Sequence, residues 1–285
     1  MSRLGGKVVL VTGAARGAGR GIAVRVAEAG GHVVAVDLGA AATDRIDESV
    51  AYAMGTTEEL ETTAELVRAA GGKALTAVAD VRSQDQLDDA VRAAIAEFGQ
   101  VDAVVANAGI MSRGTLWEIT EEQWQKQIDI NLTGVWKTIK AVAPHMVERR
   151  SGSVIIISSI NGVEPGPGYA HYTTAKHGVI GLMRAGALEL GPYDVRCNAI
   201  LPGVIDTPQN SWQGALDLIA GHEGGTLEER AQVGQWFGIL KSDGLIPPEA
   251  IGDAAVFLVS DESRWITGSS IPVEAGHLIV PGYTK

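Results

Sequence analysis

The chain has 285 residues, of which 46% are apolar and 20% charged, and it carries a formal net charge of −11. That is enough apolar material for a sizeable core, while the acidic balance and the lack of a basic run disfavour a nucleic-acid or anionic-membrane surface. The single cysteine, Cys197, excludes an internal disulfide and fits core packing in a reducing compartment. No apolar run reaches the roughly 18 residues of a membrane span, and the start has no signal-peptide layout, so a soluble cytoplasmic protein is expected.

Lys7 to Val11 is a β-rich apolar run that feeds Thr12-Gly-Ala-Ala-Arg-Gly-Ala-Gly19. A helix begins behind it and ends at Gly30-Gly31, and His32 to Val36 is a second buried strand closing on Asp37. Strand, glycine turn, helix, strand is a βαβ unit, and its continuous apolar strands imply a parallel sheet covered on both faces with a right-handed crossover. Gly13, Gly17 and Gly19, interleaved with Arg16 and Ala18, are spaced GxxxGxG rather than GxGxxG. The physics is similar, because glycines admit a pyrophosphate close to the backbone at the positive end of the next helix. Asp37 ends the second strand, where a carboxylate accepts from adenosine ribose hydroxyls and repels a 2′-phosphate, which favours NAD over NADP. Arg16 is the competing feature, being able to contact a phosphate, and Asp37 outweighs it.

Leu38 to about Thr57 is several times longer than the roughly 2–6 residues of an ordinary βα connection, so it reads as a loop tail or a functional cover over the adenosine end. The alternation then continues. A helix is predicted over Glu58–Ala70, a strand over Ala74–Ala79 ending in Asp80-Val81, a helix over Gln84–Phe98 capped by Ser83, and a strand over Val101–Ala106 ending in Asn107-Ala108-Gly109. Asp80 could accept from an adenine amino group. Glu121 to about Val147 reads as one long helix carrying Asn131, bent near its end by Pro144. A strand over Ser153–Ile157 ends in Ser158-Ser159, and a proline- and glycine-rich loop leads to a helix bearing Tyr172 and Lys176. The strand Val195–Ile200 ends in Pro202-Gly203. Thr207 to Pro247 breaks the pattern and reads as helical segments forming a substrate lid. A helix from Pro248, a last strand over Gly268–Val273 and a partly apolar tail complete the chain. The fold class is therefore α/β, a doubly wound Rossmann-type parallel sheet of about seven strands with helices on both faces, in one domain spanning residues 1–285. Ligands in such sheets bind beyond the carboxyl ends of the strands, which gathers these strand-end residues along one edge.

Tyr172 and Lys176 lie one turn apart on one helix face. A cation beside a phenol favours the phenolate, so Lys176 is expected to lower the Tyr172 pKa and make it a proton-transfer group near neutral pH. Taken together and in this order, Thr12–Gly19, Asp80-Val81, Asn107-Ala-Gly109, Asn131-Leu-Thr-Gly134, Ser158-Ser159, Tyr172-x-x-x-Lys176 and Pro202-Gly203 identify a resemblance to the short-chain dehydrogenase/reductase family from Lys7 to about Gly276.

The resemblance implies a catalytic tetrad of Asn131, Ser159, Tyr172 and Lys176. The family's serine usually lies about thirteen residues before its tyrosine, which selects Ser159 over Ser158. It also implies cofactor contacts from the glycine turn, Asp37, Leu38, Asp80, Val81, Asn107, Ala108, Gly109, Tyr172, Lys176, Pro202, Gly203, Ile205 and Thr207. Asn131 would anchor a water linking Lys176 to solvent, through a distortion in its helix. The long connection and the ending Trp265-Ile-Thr-Gly-Ser-Ser-Ile-Pro-Val-Glu-Ala-Gly276 resemble the carveol dehydrogenase-like, mycofactocin-associated subgroup. That implies NAD-linked oxidation of a hydrophobic, terpenoid secondary alcohol, a firmly held NAD covered by residues 38–57, an external redox partner that reoxidises NADH, and a homotetramer.

Ile110, Ile160, Tyr169, Trp212 and Trp236 are candidate substrate contacts, with Ser112, Trp117 and Val163 behind them. His171 faces away from Tyr172's direction, His222 and His277 are isolated, and no metal-ligand cluster is evident. The competing readings are an NADPH ketoreductase of the same fold, which Asp37 opposes, and a non-catalytic nucleotide sensor or scaffold, which the complete tetrad opposes.

Overall fold

The computed structural model describes residues 2–40, 50, 52–240 and 245–280, without the side chains of 233–236. The strands β1 (Val8–Thr12), β2 (His32–Asp37), β3 (Ala74–Val78), β4 (Ala103–Ala106), β5 (Gly152–Ile157), β6 (Val195–Pro202) and β7 (Ser270–Val273) form a seven-stranded sheet in the order β3-β2-β1-β4-β5-β6-β7. Every neighbouring pair is parallel. The order reverses between β1 and β4, and a crevice opens there beyond the strand ends.

Strand side chains alternate between two core layers. Leu10, Val34, Val104 and Ile156 pack under α3 (Gln84–Phe98), α5 (Gly134–Arg149) and α6 (Ala170–Leu190). Val9, Val11, Val33 and Ile155 pack under α1 (Gly17–Glu28), α2 (Thr57–Ala69) and α9 (Pro248–Val259). Both faces being covered explains why the strands read as unbroken apolar runs. Cys197 is buried in the first layer, and burial pushes its thiol up to about 12, as befits a packing residue.

Helices α1 and α9 meet at backbone distance. A Cβ on Gly21 would lie 2.8 Å from Pro248 C, and one on Gly252 would lie 2.8 Å from the Gly21 carbonyl oxygen. Arg25 Nε donates to Asp253 Oδ1 at 2.6 Å across the same seam.

The helix expected as one piece from Glu121 is divided. After α4 (Glu121–Ile128), residues Asp129–Thr133 form a π-helical turn before α5. A π turn is a single-turn bulge frequent at functional sites, and this one carries Asn131. Pro144 lies within α5, which runs on to Arg149. The stretch after Asp37 is pinched at its base, where Ala40 pairs with Thr56 and Ala40 N donates to Gly55 O at 3.1 Å. Residues 41–49 and 51 of this insertion lie outside the described residues. Val50 and Met54 join Val81, Leu87, Ile110 and Ile130 in a third apolar cluster, with Tyr52 packed against it. The Thr207–Pro247 stretch contains α7 (Gln213–Ala220) and α8 (Leu227–Phe237).

Candidate active site

A cavity of about 630 Å³ runs along the carboxyl edge of the sheet, within the usual range for a small-molecule or cofactor site. The β1–α1 turn forms one end. Gly13 sits at φ +70°, and a Cβ there would lie 2.9 Å from Ala108 Cα. A Cβ on Gly19 would lie 2.0 Å from the Gly13 carbonyl oxygen, so the turn closes on itself only without side chains. Asn107 staples it from the next strand, Nδ2 donating to Thr12 O at 2.9 Å and to Gly13 O at 3.2 Å. Arg20 holds the far side, donating from Nε to Thr63 Oγ1 at 3.0 Å and from Nη2 to Glu59 O at 3.0 Å. The twelve-residue α1 thus presents its N-terminal amides to the cavity.

Asp37 lies beside this turn. Its Oδ2 accepts from Ala15 N and its Oδ1 from Leu38 N, each at 2.8 Å. Burial raises its pKa, against the two backbone donors and the Arg16 charge. Arg16 pairs with Glu59 at 3.8 Å, and Glu59 is fixed by a capping box with Thr56 at the start of α2. Asp80 spends both oxygens on Arg82, with Nε at 2.9 and 3.0 Å and the Arg82 amide at 2.8 Å. Burial alone would raise the Asp80 pKa, but the Arg82 guanidinium and amide hold it below the ordinary carboxylate value.

Tyr172, Ser159 and Lys176 share the other end. Ser159 Oγ accepts from Asn161 N at 3.1 Å, which leaves its proton for another acceptor, and Ser159 shares the cavity with Tyr172 and holds the phenol's pKa down. Ser158 Oγ instead donates to Lys176 O at 2.9 Å, tying β5 to α6. Lys176 Nζ donates to Ile157 O at 2.8 Å and lies 5.6 Å from the Tyr172 ring centroid. The expected depression of the Tyr172 pKa is not what the geometry produces. Burial pushes the phenol up to about 12, with Ser159 opposing and Tyr169 adding to the rise. Burial also pushes Lys176 down to about 8. Desolvation disfavours both charged forms, and it outweighs their proximity.

Asn131 stands behind the cavity, fully buried. Its Oδ1 accepts from Ile110 N at 2.8 Å and its Nδ2 donates to Ile110 O at 2.7 Å, so its side-chain amide is committed to the Ile110 backbone. Gln127 Nε2 also donates to Ile110 O, at 2.6 Å, and Ser112 Oγ links Gln127 Oε1 at 3.3 Å to His171 Nε2 at 2.7 Å. His171 is therefore a buried structural partner, and burial lowers its pKa.

A family model described as enoyl-(acyl carrier protein) reductase matches residues 40–277. The (-)-trans-carveol dehydrogenase of Rhodococcus erythropolis is 39% identical over 278 residues, 97% of this chain and 99% of that protein. The crystal structure of carveol dehydrogenase from Mycobacterium avium in complex with NAD superposes with a TM-score of 0.92 at 40% identity, covering 98% of this chain and all of that one. A short chain dehydrogenase from Mycobacterium paratuberculosis bound to NAD gives a TM-score of 0.85 at 37% identity over 96% of this chain and 98% of that one. The chain belongs to the short-chain dehydrogenase/reductase family.

In this family member, the expected cofactor residues from the glycine turn through Thr207 all line the one cavity, as do Ile110, Ile160 and Tyr169. Trp212 does not. Its Nε1 donates to Gln209 O at 3.1 Å and its ring covers Gly214, so it packs the lid internally. The side chain of Trp236 lies outside the described residues. Ser112 is buried in the His171 network, whereas Trp117 and Val163 are exposed and none of these three faces the cavity.

Sequence reasoning missed Tyr52, Glu164, Phe237 and His277, all of which line the cavity. Tyr52 Oη accepts from Met111 N at 2.9 Å, bringing the insertion against the loop after β4. Burial raises the Tyr52 pKa, and the nearby Tyr172 phenol adds to it. Tyr52 is the sole aromatic of residues 38–57, and Glu164 the sole charge of 161–168. Those were the available signals. His277 had none, because its partners come from distant parts of the chain.

Proposed function

We propose that the protein is an NAD-dependent oxidoreductase that interconverts a hydrophobic secondary alcohol and its ketone by hydride transfer. The observation that carries this reading is the Ser159–Tyr172 hydroxyl pair, set in the same cavity as the glycine turn and Asp37. Those residues suit a dinucleotide: the self-packed glycine turn leaves α1's amides free for a pyrophosphate, and Asp37 offers a carboxylate where a ribose would lie. Lys176 would hold the nicotinamide ribose, and Pro202 to Thr207 the nicotinamide side. Asp80 has little free capacity for adenine, since Arg82 occupies it. Arg16, engaged with Glu59, gives a 2′-phosphate little purchase, which favours NAD over NADPH.

Bound NAD supplies the hydride acceptor. In oxidation, Tyr172 takes the hydroxyl proton as the C–H bond gives up its electron pair and the carbonyl forms. Ser159 donates to the substrate oxygen in both states, as an oxyanion donor does. Tyr172, kept protonated by a pKa raised to about 12, holds the proton that the reverse reaction needs. Asn131 fixes the Ile110 backbone and Lys176 orients around Tyr172.

The apolar wall from Ile110, Ile160 and Tyr169 supports a terpenoid-like alcohol, as does the likeness to carveol dehydrogenases. Tyr52 closing over the cavity supports a firmly held NAD reoxidised by an external, mycofactocin-linked partner. Trp124 and Trp136, exposed on α4 and α5, support a homotetramer built through the long helices that carry Asn131 and Tyr172. Among the described residues no helix is long and apolar enough to cross a membrane. We read the chain as one cytoplasmic domain, with residues 207–247 as the lid.

The deciding experiment is Tyr172→Phe, assayed with carveol and NAD. NAD binding should persist and turnover should fall by about 10²- to 10⁴-fold. A variant retaining most of its kcat sinks the proton-transfer role. Native mass spectrometry of protein purified without added nucleotide tests retention, and an empty site would count against it.

A further inference from the structure

Several charged side chains line the cavity, and most are already committed. Arg16 pairs with Glu59, Asp37 takes two backbone amides, Asp80 and Arg82 pair with each other, and Lys176 donates to Ile157 O. Glu164 and His277 remain. Glu164 lies in the loop after β5, its amide bonded to Ile160 O at 2.9 Å in the turn that carries Ser159. Its Oε1 is 2.8 Å from His277 Nε2, while its Oε2 has no protein partner among the described residues.

His277 is held rigidly. Its Nδ1 is 2.8 Å from Phe237 O, and the Phe237 ring stacks on the imidazole at 3.9 Å with planes 3° apart. Its backbone is fixed by Glu274, and the adjoining Ala275 O accepts from Ile239 N at 2.8 Å and Leu240 N at 3.1 Å. Each nitrogen of His277 thus faces an acceptor, a carbonyl on one side and a carboxylate on the other. With Nε2 carrying its N–H, the ring donates to Glu164 Oε1. The stacked ring thus orients Glu164 through Oε1 and leaves Oε2, on a partly exposed side chain, as an acceptor in the cavity that Ile110, Ile160 and Tyr169 also line.

We infer that Glu164, positioned by His277, is a second recognition point that accepts a hydrogen bond from a hydroxyl group of the substrate other than the one being oxidised. This rests on the proposed alcohol dehydrogenase function and narrows it to alcohols or ketones bearing a second hydroxyl on an apolar frame. An ether or carbonyl oxygen at that position would meet an acceptor with an acceptor and be disfavoured.

The test compares cyclohexanol with cyclohexane-1,3-diol and cyclohexane-1,4-diol on the NAD-loaded protein. Calorimetry gives Kd and steady-state assays give kcat/KM for each. Loss of a hydrogen bond to a charged group changes affinity by about ten- to a hundredfold, so one diol should bind and react about tenfold or more better than cyclohexanol. The diol-to-monool ratio should fall close to one in Glu164→Gln, and also in His277→Leu, where the carboxylate loses its orientation. A ratio near one in the unmodified protein, or a ratio unchanged in both variants, overturns the inference and leaves the pair as a latch between the loop after β5 and the tail. If no alcohol turns over but the calorimetric preference for a diol is present and lost in Glu164→Gln, the hydroxyl site stands and the dehydrogenase reading fails.

Discussion

Replacing Tyr52 by Phe removes one oxygen and nothing else from the insertion. The ring stays against the Val50, Met54, Val81 and Ile110 cluster, but Met111 N–H loses the acceptor it reaches at 2.9 Å. An amide left unpaired costs about 1–3 kcal/mol where water cannot replace the lost partner, and for this part-buried one that range is the upper bound. That cost falls on the closed arrangement and not on one where the insertion has swung away and Met111 is solvated. With each 1.4 kcal/mol worth about tenfold, opening becomes about fivefold to about a hundredfold more frequent. If nucleotide leaves only through that opening, its release rate rises by the same factor. The assay is exchange: protein purified with its nucleotide is mixed with excess isotopically labelled NAD, and incorporation is followed by native mass spectrometry. Tyr52→Ala, which also strips the ring from the cluster, should exchange faster still. Release from Tyr52→Phe within about twofold of the unmodified protein would refute the idea that this hydrogen bond keeps the cavity shut.

Other outcomes follow from the same geometry. Since the Tyr172 phenol is protonated below about 12 and oxidation needs the proton gone, kcat/KM for alcohol oxidation should climb from about pH 7 to about pH 10. Ketone reduction, which uses the protonated form, should stay level over that range, and a flat oxidation profile would contradict the Tyr172 role. Asn131→Ala leaves Ile110 N without a partner and empties part of a packed π turn. Urea unfolding should show a loss of about 2–4 kcal/mol, and a change below about half a kcal/mol would mean the turn holds without it. Asp37→Asn keeps an acceptor for one of the Ala15 and Leu38 amides while removing the charge. Its kcat/KM ratio for NAD over NADP should drop at least about tenfold, and equal use of both cofactors by the unmodified protein would remove the basis for Asp37's assignment.

What the sequence revealed is what local spacing encodes. The glycine turn, the Tyr172–Lys176 turn and the strand-end residues each depend on neighbours a few positions away, and the parallel sheet then aligns them. The choice of Ser159 over Ser158 came from family spacing, and the structure adds a physical reason: Ser158's hydroxyl is occupied by Lys176 O. What stayed hidden depends on long-range meetings. His277 looked isolated because its partners Glu164 and Phe237 lie 113 and 40 residues away. Trp212 read as a pocket aromatic because composition gives no direction for a side chain, and it turned onto its own helix. The pKa of Tyr172 was misjudged for another reason. Periodicity places Lys176 beside the phenol but says nothing of how thoroughly both are removed from water.

The seam between α1 and α9 bears on how the molecule is assembled. Arg25 and Asp253, joined across it, are 228 residues apart. Gly21 and Gly252 bring the two backbones together, so α1 cannot cover its outer face with local chain. The nucleotide end is therefore expected to complete its packing only after Pro248–Val259 has emerged. Such dependence on distant contacts makes for slow, concerted folding. A chain ending before Pro248 would be expected to lose the glycine turn's footing, and protease mapping of such a chain would show cleavage near Gly17 as well as near its new end.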